Sequence, residues 1–287
     1  MTAAPPRHAP DDTAPAHSTP PPWLTLALQR HHIYLDAAHW TPLSGGRTNL
    51  LWRAGDVVVK AYDPASATPL FPNDPEAEAE ALRRFAPHGL APDLIAQGDG
   101  WLCYRHLPGA CWRDNPAQVA HLLARLHRLP PDPQTQFRAI ASGAAALTAQ
   151  GLAIAQACRA TLPPPPAIAD PGPVRHPTSL HGDAVAGNVI IGPRGPALID
   201  WQCPATGDAA EDIATFLSPA MQWLYRGKPL STDEVAAFLA AYPDPDPVAR
   251  YRRLAPLFRW RMAAHCLWKA ERGAADYAQA LTLELGA

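Results

Sequence analysis

The segment His181-Gly182-Asp183-Ala184-Val185-Ala186-Gly187-Asn188, followed by Leu198-Ile199-Asp200-Trp201, decides how this chain reads. Asp183 comes first, Asn188 stands five positions later, and Asp200 follows on what should be the next strand. Phosphoryl transfer uses residues in this order: an Asp to take the acceptor hydroxyl's proton, an Asn that turns back to a magnesium ion, and an Asp that holds the metal bridging the phosphates. The flanks fit such a site. Thr178-Ser179-Leu180 and Val189-Ile190-Ile191 read as short strands, Gly192 to Gly195 as a turn, and Ala197-Leu198-Ile199 as a returning strand. That pair would set Asn188 and Asp200 at neighbouring strand ends. Each residue alone is an ordinary turn former or cap, so the ordered set carries the argument. A metallophosphoesterase is excluded, because its Gly-Asp and Gly-Asn blocks lie far apart and it needs an upstream Asp-x-His, whereas Asp36 and His39 are one residue too far apart.

The segment resembles the aminoglycoside phosphotransferase and choline kinase superfamily, small-molecule relatives of the protein kinases that include thiamine kinase-like members. His181, Asp183, Asn188 and Asp200 match its signature one by one, with Gly187 and Trp201 beside them. Ala184 to Ala186 depart from it, since many members carry a bulky residue, His and Pro there. The resemblance runs from around Leu43 to near the C-terminus. It implies an α+β, bilobal, protein-kinase-like fold with a small antiparallel-sheet N-lobe and a larger, mainly helical C-lobe. It also implies ATP and magnesium as cofactors, Asp183 and His181 as the catalytic pair, and Asn188 and Asp200 as metal ligands.

Upstream, Pro42-Leu43, Asn49 to Trp52 and Asp56 to Ala61 read as strands. Between the first two lies Ser44-Gly45-Gly46, where the family folds a hairpin over the ATP phosphates and glycines let backbone amides approach an anion. Lys60 ends a Val-Val-Val run, and a Lys in so apolar a setting needs an anionic partner. The family uses such a Lys on the phosphates. Residues 75–85 read as a helix, with Asn73 or Asp74 as cap and Pro75 in its first turn. Of its three acids, Glu78 has the family's spacing to Leu82 for the ion pair with Lys60; Glu76 and Glu80 fall elsewhere on the helix. Residues 93–97 and 101–105 form a hairpin, and the backbone around Tyr104 to His106 is where the family binds the adenine edge.

The expected organisation is a Pro- and Ala-rich disordered tail over 1–22, a nucleotide-binding N-lobe over 23–105 and a catalytic, acceptor-binding C-lobe over 106–287. Helices are expected around Leu122 to His127, over 139–162 and over 247–285, broken at Pro256 and Gly273. A net charge of -2 and pI near 6.6 offer no field for nucleic acid. The N-terminus lacks a signal-peptide pattern and no apolar run is long enough to cross a bilayer, so a cytoplasmic protein is expected. Five cysteines, odd in number and without a Cys-x-x-Cys pair, point to reduced thiols.

Asp208 and Asp212 stand in a segment like the family's Gly-Asp-x-x-x-Asp, and read as a cap and a loop brace. The partner is expected to be a small hydroxylated molecule. Trp223, Tyr225, Trp260 and Trp268 would suit a choline-like cation if they formed a box, although helical aromatic residues are usually core. Arg250, Arg252, Arg253, Arg259 and Arg261 weigh against the acidic pocket that a polyamine antibiotic needs. The favoured acceptor is therefore choline, ethanolamine or a thiamine-like alcohol. An aminoglycoside phosphotransferase and a catalytically weak nucleotide-binding regulator are the alternatives, while a protein kinase lacks support without Asp-Phe-Gly and Ala-Pro-Glu.

Overall fold

A computed structural model describes residues 19–35, 40–43 and 48–286. The expected phosphate loop Ser44-Gly45-Gly46 and the 1–18 part of the expected tail lie outside the described residues. By contacts the chain divides into two compact units, one of residues up to Ala67 with Asp93–His106, the other of Thr68–Pro92 with Leu107 onward.

The first unit is a helix on an antiparallel sheet. Helix α1 (Pro22–Arg30) precedes strands β1 (Trp40–Pro42), β2 (Leu50–Ala54) and β3 (Val57–Ala61); β4 (Leu94–Gly98) and β5 (Trp101–Arg105) complete the sheet in the order β1-β2-β3-β5-β4. Alternation along β3 sends Val57, Val59 and Ala61 into a core with Leu24 and Leu28 of α1, Trp52, Trp101 and Cys103. Val58 and Lys60 therefore share the opposite face. The β2–β3 turn is only two residues, Gly55-Asp56, with Gly55 in the left-handed region at φ 63°.

The second unit begins with α2 (Pro75–Phe85), capped by Asp74, whose carboxylate accepts from the amides of Glu76 and Ala77. The sequence places this helix in a contiguous 23–105 lobe. Its contacts group it instead with the helical unit, since Phe85 stacks on Trp201 at 4.6 Å and on Phe137 at 6.1 Å. Short strands β6 (Ala110–Cys111), β7 (Arg138–Ala139), β8 (Thr178–Leu180), β9 (Val189–Gly192), β10 (Gly195–Leu198) and β11 (Ala205–Gly207) form two three-stranded sheets, β10-β9-β6 and β7-β11-β8. Around them pack α3 (Pro116–His127), α4 (Ala144–Gln156), α5 (Ala210–Leu217), α6 (Pro219–Arg226), α7 (Thr232–Ala241), α8 (Pro245–Ala270) and α9 (Asp276–Leu285).

Two helical expectations need correction. The first residues of the 139–162 segment are spent on β7 and its turn, so α4 starts five residues later, where Asp170 accepts from the Ala144 amide at 2.8 Å. Pro256 does not break α8. It lies on the exposed side with Arg252 and Arg253, so water can solvate the carbonyl that a proline leaves unpaired, while Leu254, Leu257 and Phe258 bury the other side. Among the described residues no helix is long and apolar enough to cross a membrane, and all five cysteines are free thiols.

Candidate active site

The polar residues of the 181–200 segment converge within the second unit. β9 and β10 form an antiparallel hairpin with Val189 opposite Leu198, and the Ile199 amide donates to the Asn188 carbonyl at 2.9 Å. This one ladder bond sets Asn188 beside the start of Ile199-Asp200. Asp200 itself has φ 62°, a left-handed conformation that costs a non-glycine residue about 1 kcal/mol or more and that Asp tolerates better than most. Such strain is a feature of sites held in a functional shape.

Asp183 is buried, and its loop is cross-braced. The Asn188 side-chain amide donates to the Asp183 carbonyl at 2.9 Å and to Asp183 Oδ2 at 3.2 Å. With Nδ2 engaged there, Oδ1 is the atom Asn188 offers to a ligand. The Gly182 conformation is obligatory, because φ is 77° and an added Cβ would sit 2.0 Å from the Cys203 carbonyl oxygen. Gly187 is also confined, with Tyr225 Cδ1 only 2.7 Å from where its Cβ would be.

His181 has both ring nitrogens engaged within the loop. Its ring is fully buried, Nε2 donates to the Ile199 carbonyl at 3.0 Å, and Nδ1 accepts from the Asp183 amide at 3.2 Å. Burial pushes its pKa down, against the raising influence of Asp212 and Ile199, which keeps the ring neutral in this bonding pattern. Trp201 covers it edge-on at 4.5 Å. His181 thus ties the residue before Asp200 to the amide of Asp183.

Asp212 is the brace expected from sequence. Its Oδ2 accepts from the His181 amide and its Oδ1 from the Gly182 amide, both at 2.8 Å. Burial alone would raise its pKa; the His127 hydrogen bond and charge, with the loop contacts, outweigh burial and hold the carboxyl below its usual range. Asp208 also keeps its structural reading, accepting from the Ala210 amide at 3.0 Å and pairing with Arg250 at 2.6 Å.

The other expected residues fall in different places. Of the three acids on α2, Glu78 alone is buried; Glu76 is exposed and Glu80 accepts from the Gln136 amide at 3.1 Å. Lys60, in the first unit, is 1% exposed with its ammonium 4.8 Å from the Tyr62 ring centre. Tyr104 is buried in β5. The Arg105 and His106 amides donate to Asp93 and Asp56 carbonyls at 2.8 and 2.7 Å, so neither N–H is available to a base edge.

An aromatic box is not assembled. Trp260 packs over Gly151 and donates to the Pro163 carbonyl at 2.8 Å, and Trp268 has Arg272 on its face at 4.1 Å. Trp223 and Tyr225 pack partly buried against a core of Val185, Met221, Met262 and Cys266. Glu234 is spent on a capping box with Ser231 and an ion pair with Arg226. Arg250, Arg259 and Arg261 are likewise held by Asp208, Glu284 and Glu211, so their tract says little about pocket charge.

A family profile described as a phosphotransferase enzyme family matches residues 39–257, which takes in the whole braced loop. The chain belongs to this phosphotransferase family. No curated protein matches the phosphotransferase chain. Solved structures share its fold at low identity. A choline/ethanolamine kinase family protein from Mesorhizobium loti is 16% identical with a TM-score of 0.62, covering 86% of this chain and 85% of its own. The macrolide 2'-phosphotransferase MphH from Brachybacterium faecium is 18% identical with a TM-score of 0.58, covering 91% and 97%. The ADP-bound aminoglycoside phosphotransferase APH(2'')-Ib is 13% identical with a TM-score of 0.57, covering 91% and 97%. The α+β architecture, with an antiparallel sheet in the N-terminal part and a helical C-terminal part, is that of these small-molecule kinases.

Proposed function

We propose that this phosphotransferase moves the γ-phosphate of ATP to a hydroxyl of a small molecule, with Asp183 as the base that accepts the hydroxyl's proton. The observation that carries this reading is the cross-brace of Asn188 onto Asp183, which joins a buried carboxylate and a metal-ligand oxygen in one rigid loop. A carboxylate held against an amide donor keeps one oxygen oriented, so it meets an incoming hydroxyl without reorganising.

Magnesium fits the residues present. Asn188 Oδ1 and the Asp200 carboxylate are hard oxygen donors on adjacent strand ends, and magnesium is commonly held by one or two protein oxygens with substrate phosphates and water completing the shell. When bound, the ion neutralises charge on the transferring phosphates. For the phosphates the proposed residues are Lys60 and, as its acid, Glu78; both are buried charges, and a buried charge needs an opposite one. Ser44, Gly45 and Gly46, outside the described residues, are the proposed phosphate-loop residues, and main-chain oxygens around Tyr104 to His106 are the proposed adenine contacts.

The acceptor is a small alcohol of the choline, ethanolamine or thiamine type. Support comes from the likeness to the choline/ethanolamine kinase family protein. ATP consumption measured against a panel of choline, ethanolamine, thiamine, aminoglycosides and macrolides tests it. Turnover with a small amino alcohol is expected. Turnover with an aminoglycoside alone would replace the acceptor, and nucleotide binding without turnover on any hydroxyl would favour a regulator.

A further inference from the structure

A run of hydrogen bonds reaches the catalytic loop from outside it. Tyr242 follows α7, is 5% exposed, and its hydroxyl lies 2.7 Å from His127 Nδ1 at the end of α3. His127 Nε2 lies 3.0 Å from Asp212 Oδ2 on α5. That oxygen also accepts from the His181 amide, its twin accepts from Gly182, and the Asp183 amide closes onto the His181 ring. Residues distant in sequence thus end on the two peptide groups that precede Asp183.

The direction of these bonds follows from the groups involved. The Asp212 carboxylate can only accept, so the proton between it and His127 sits on Nε2, and the Tyr242 hydroxyl faces the other ring nitrogen. The hydroxyl thus fixes the ring's orientation from the side away from Asp212, just as outer partners orient metal-bound histidines. Asp212 then keeps both oxygens aligned on the loop amides. Without the phenol hydroxyl, the ring loses its partner at Nδ1, and the carboxylate loses its lateral support.

We propose that Tyr242 and His127 are positioning residues for phosphoryl transfer, acting through Asp212 to set the His181-Gly182 backbone and with it the Asp183 carboxylate. This rests on Asp183 being the base of the reaction proposed above. An error of an ångström in a catalytic group is enough to slow an enzyme substantially while leaving substrate binding alone.

The test combines two measurements on the full chain. Tyr242→Phe should lower kcat on the order of tenfold with the KM for ATP unchanged. It should also speed hydrogen exchange at the His181 and Gly182 amides. In a His127→Ala background the same change should have no further effect on either readout, because the connection is already cut. Unchanged kcat and exchange in Tyr242→Phe would overturn the proposal, as would an equal loss in both backgrounds or a rise in KM with kcat intact. The exchange measurement keeps the two readings separable: if Asp183→Asn retains activity, the base assignment fails even where the amides loosen as expected. If Tyr242→Phe misfolds, His127→Gln gives the same test, with its exchange at the two amides as the deciding quantity.

Discussion

Asn188 donates its side-chain amide twice to Asp183, to the main-chain carbonyl at 2.9 Å and to Oδ2 at 3.2 Å. The bond makes one residue both a brace for the base and a candidate metal ligand, and the two roles separate under substitution. Asn188→Asp keeps an oxygen for magnesium but sets a second carboxylate against the first, and like charges so close resist joint ionisation. The variant should retain magnesium-dependent nucleotide binding while kcat falls by at least about tenfold, near 1.4 kcal/mol of transition-state stabilisation. Steady-state kinetics alongside thermal shift with and without magnesium reads both; wild-type kcat would show that the brace is irrelevant to turnover.

Asp200→Ala removes the other proposed metal oxygen. Stabilisation of the protein by ATP should then lose its dependence on magnesium, since a ligand stabilises only in proportion to its binding. A variant with the wild-type metal dependence would place the ion elsewhere.

Lys60 and Glu78 are buried charges of opposite sign. If they act as one unit on the phosphates, the losses in kcat/KM for Lys60→Ala and Glu78→Ala will not multiply in the double variant. A double variant whose loss equals the product of the single losses would separate the two.

His265 gives a pH prediction. It is buried between the Phe71 and Tyr277 rings, and burial, helped by the nearby Lys269 and Arg261 charges, pushes its pKa down to about 3. Its folded pKa is depressed, so as pH falls below about 6.5 the unfolded chain takes up a proton that the folded protein refuses. Stability is therefore lost with decreasing pH across the window from about 6.5 to about 3, by about 2 kcal/mol between pH 7 and pH 5. Melting curves should show a shallower acid-side fall in Tm for His265→Phe than for the wild-type protein. Parallel Tm profiles would mean that His265 takes up its proton in the folded state as well.

The loop could be read from sequence because its chemistry is local. Asp183, Asn188 and the β9–β10 turn lie within a short stretch, so spacing alone set Asn188 beside Asp200. The N-terminal strands were equally legible, since Val57, Val59 and Ala61 alternate against a turn glycine. What escaped was long-range. His127 is separated from Asp212 by 85 residues and from Tyr242 by 115, and nothing in a lone Tyr after a helix signals that its hydroxyl meets a histidine. The burial of His181 and its two ring bonds were likewise beyond the motif, since they are properties of the packed loop. Pro256 misled for the opposite reason: the rule that a proline ends a helix does not know which side of the helix faces water.

In the proposed reaction Asp183 takes the acceptor's proton. The most direct measurement is single-turnover phosphoryl transfer from ATP by Asp183→Asn, with nucleotide affinity measured on the same sample. Asn is isosteric, retains hydrogen bonding and cannot accept the proton, so the rate should fall by at least about a hundredfold while ATP affinity stays near that of the wild-type protein. A variant that transfers phosphate at the wild-type rate would contradict the account.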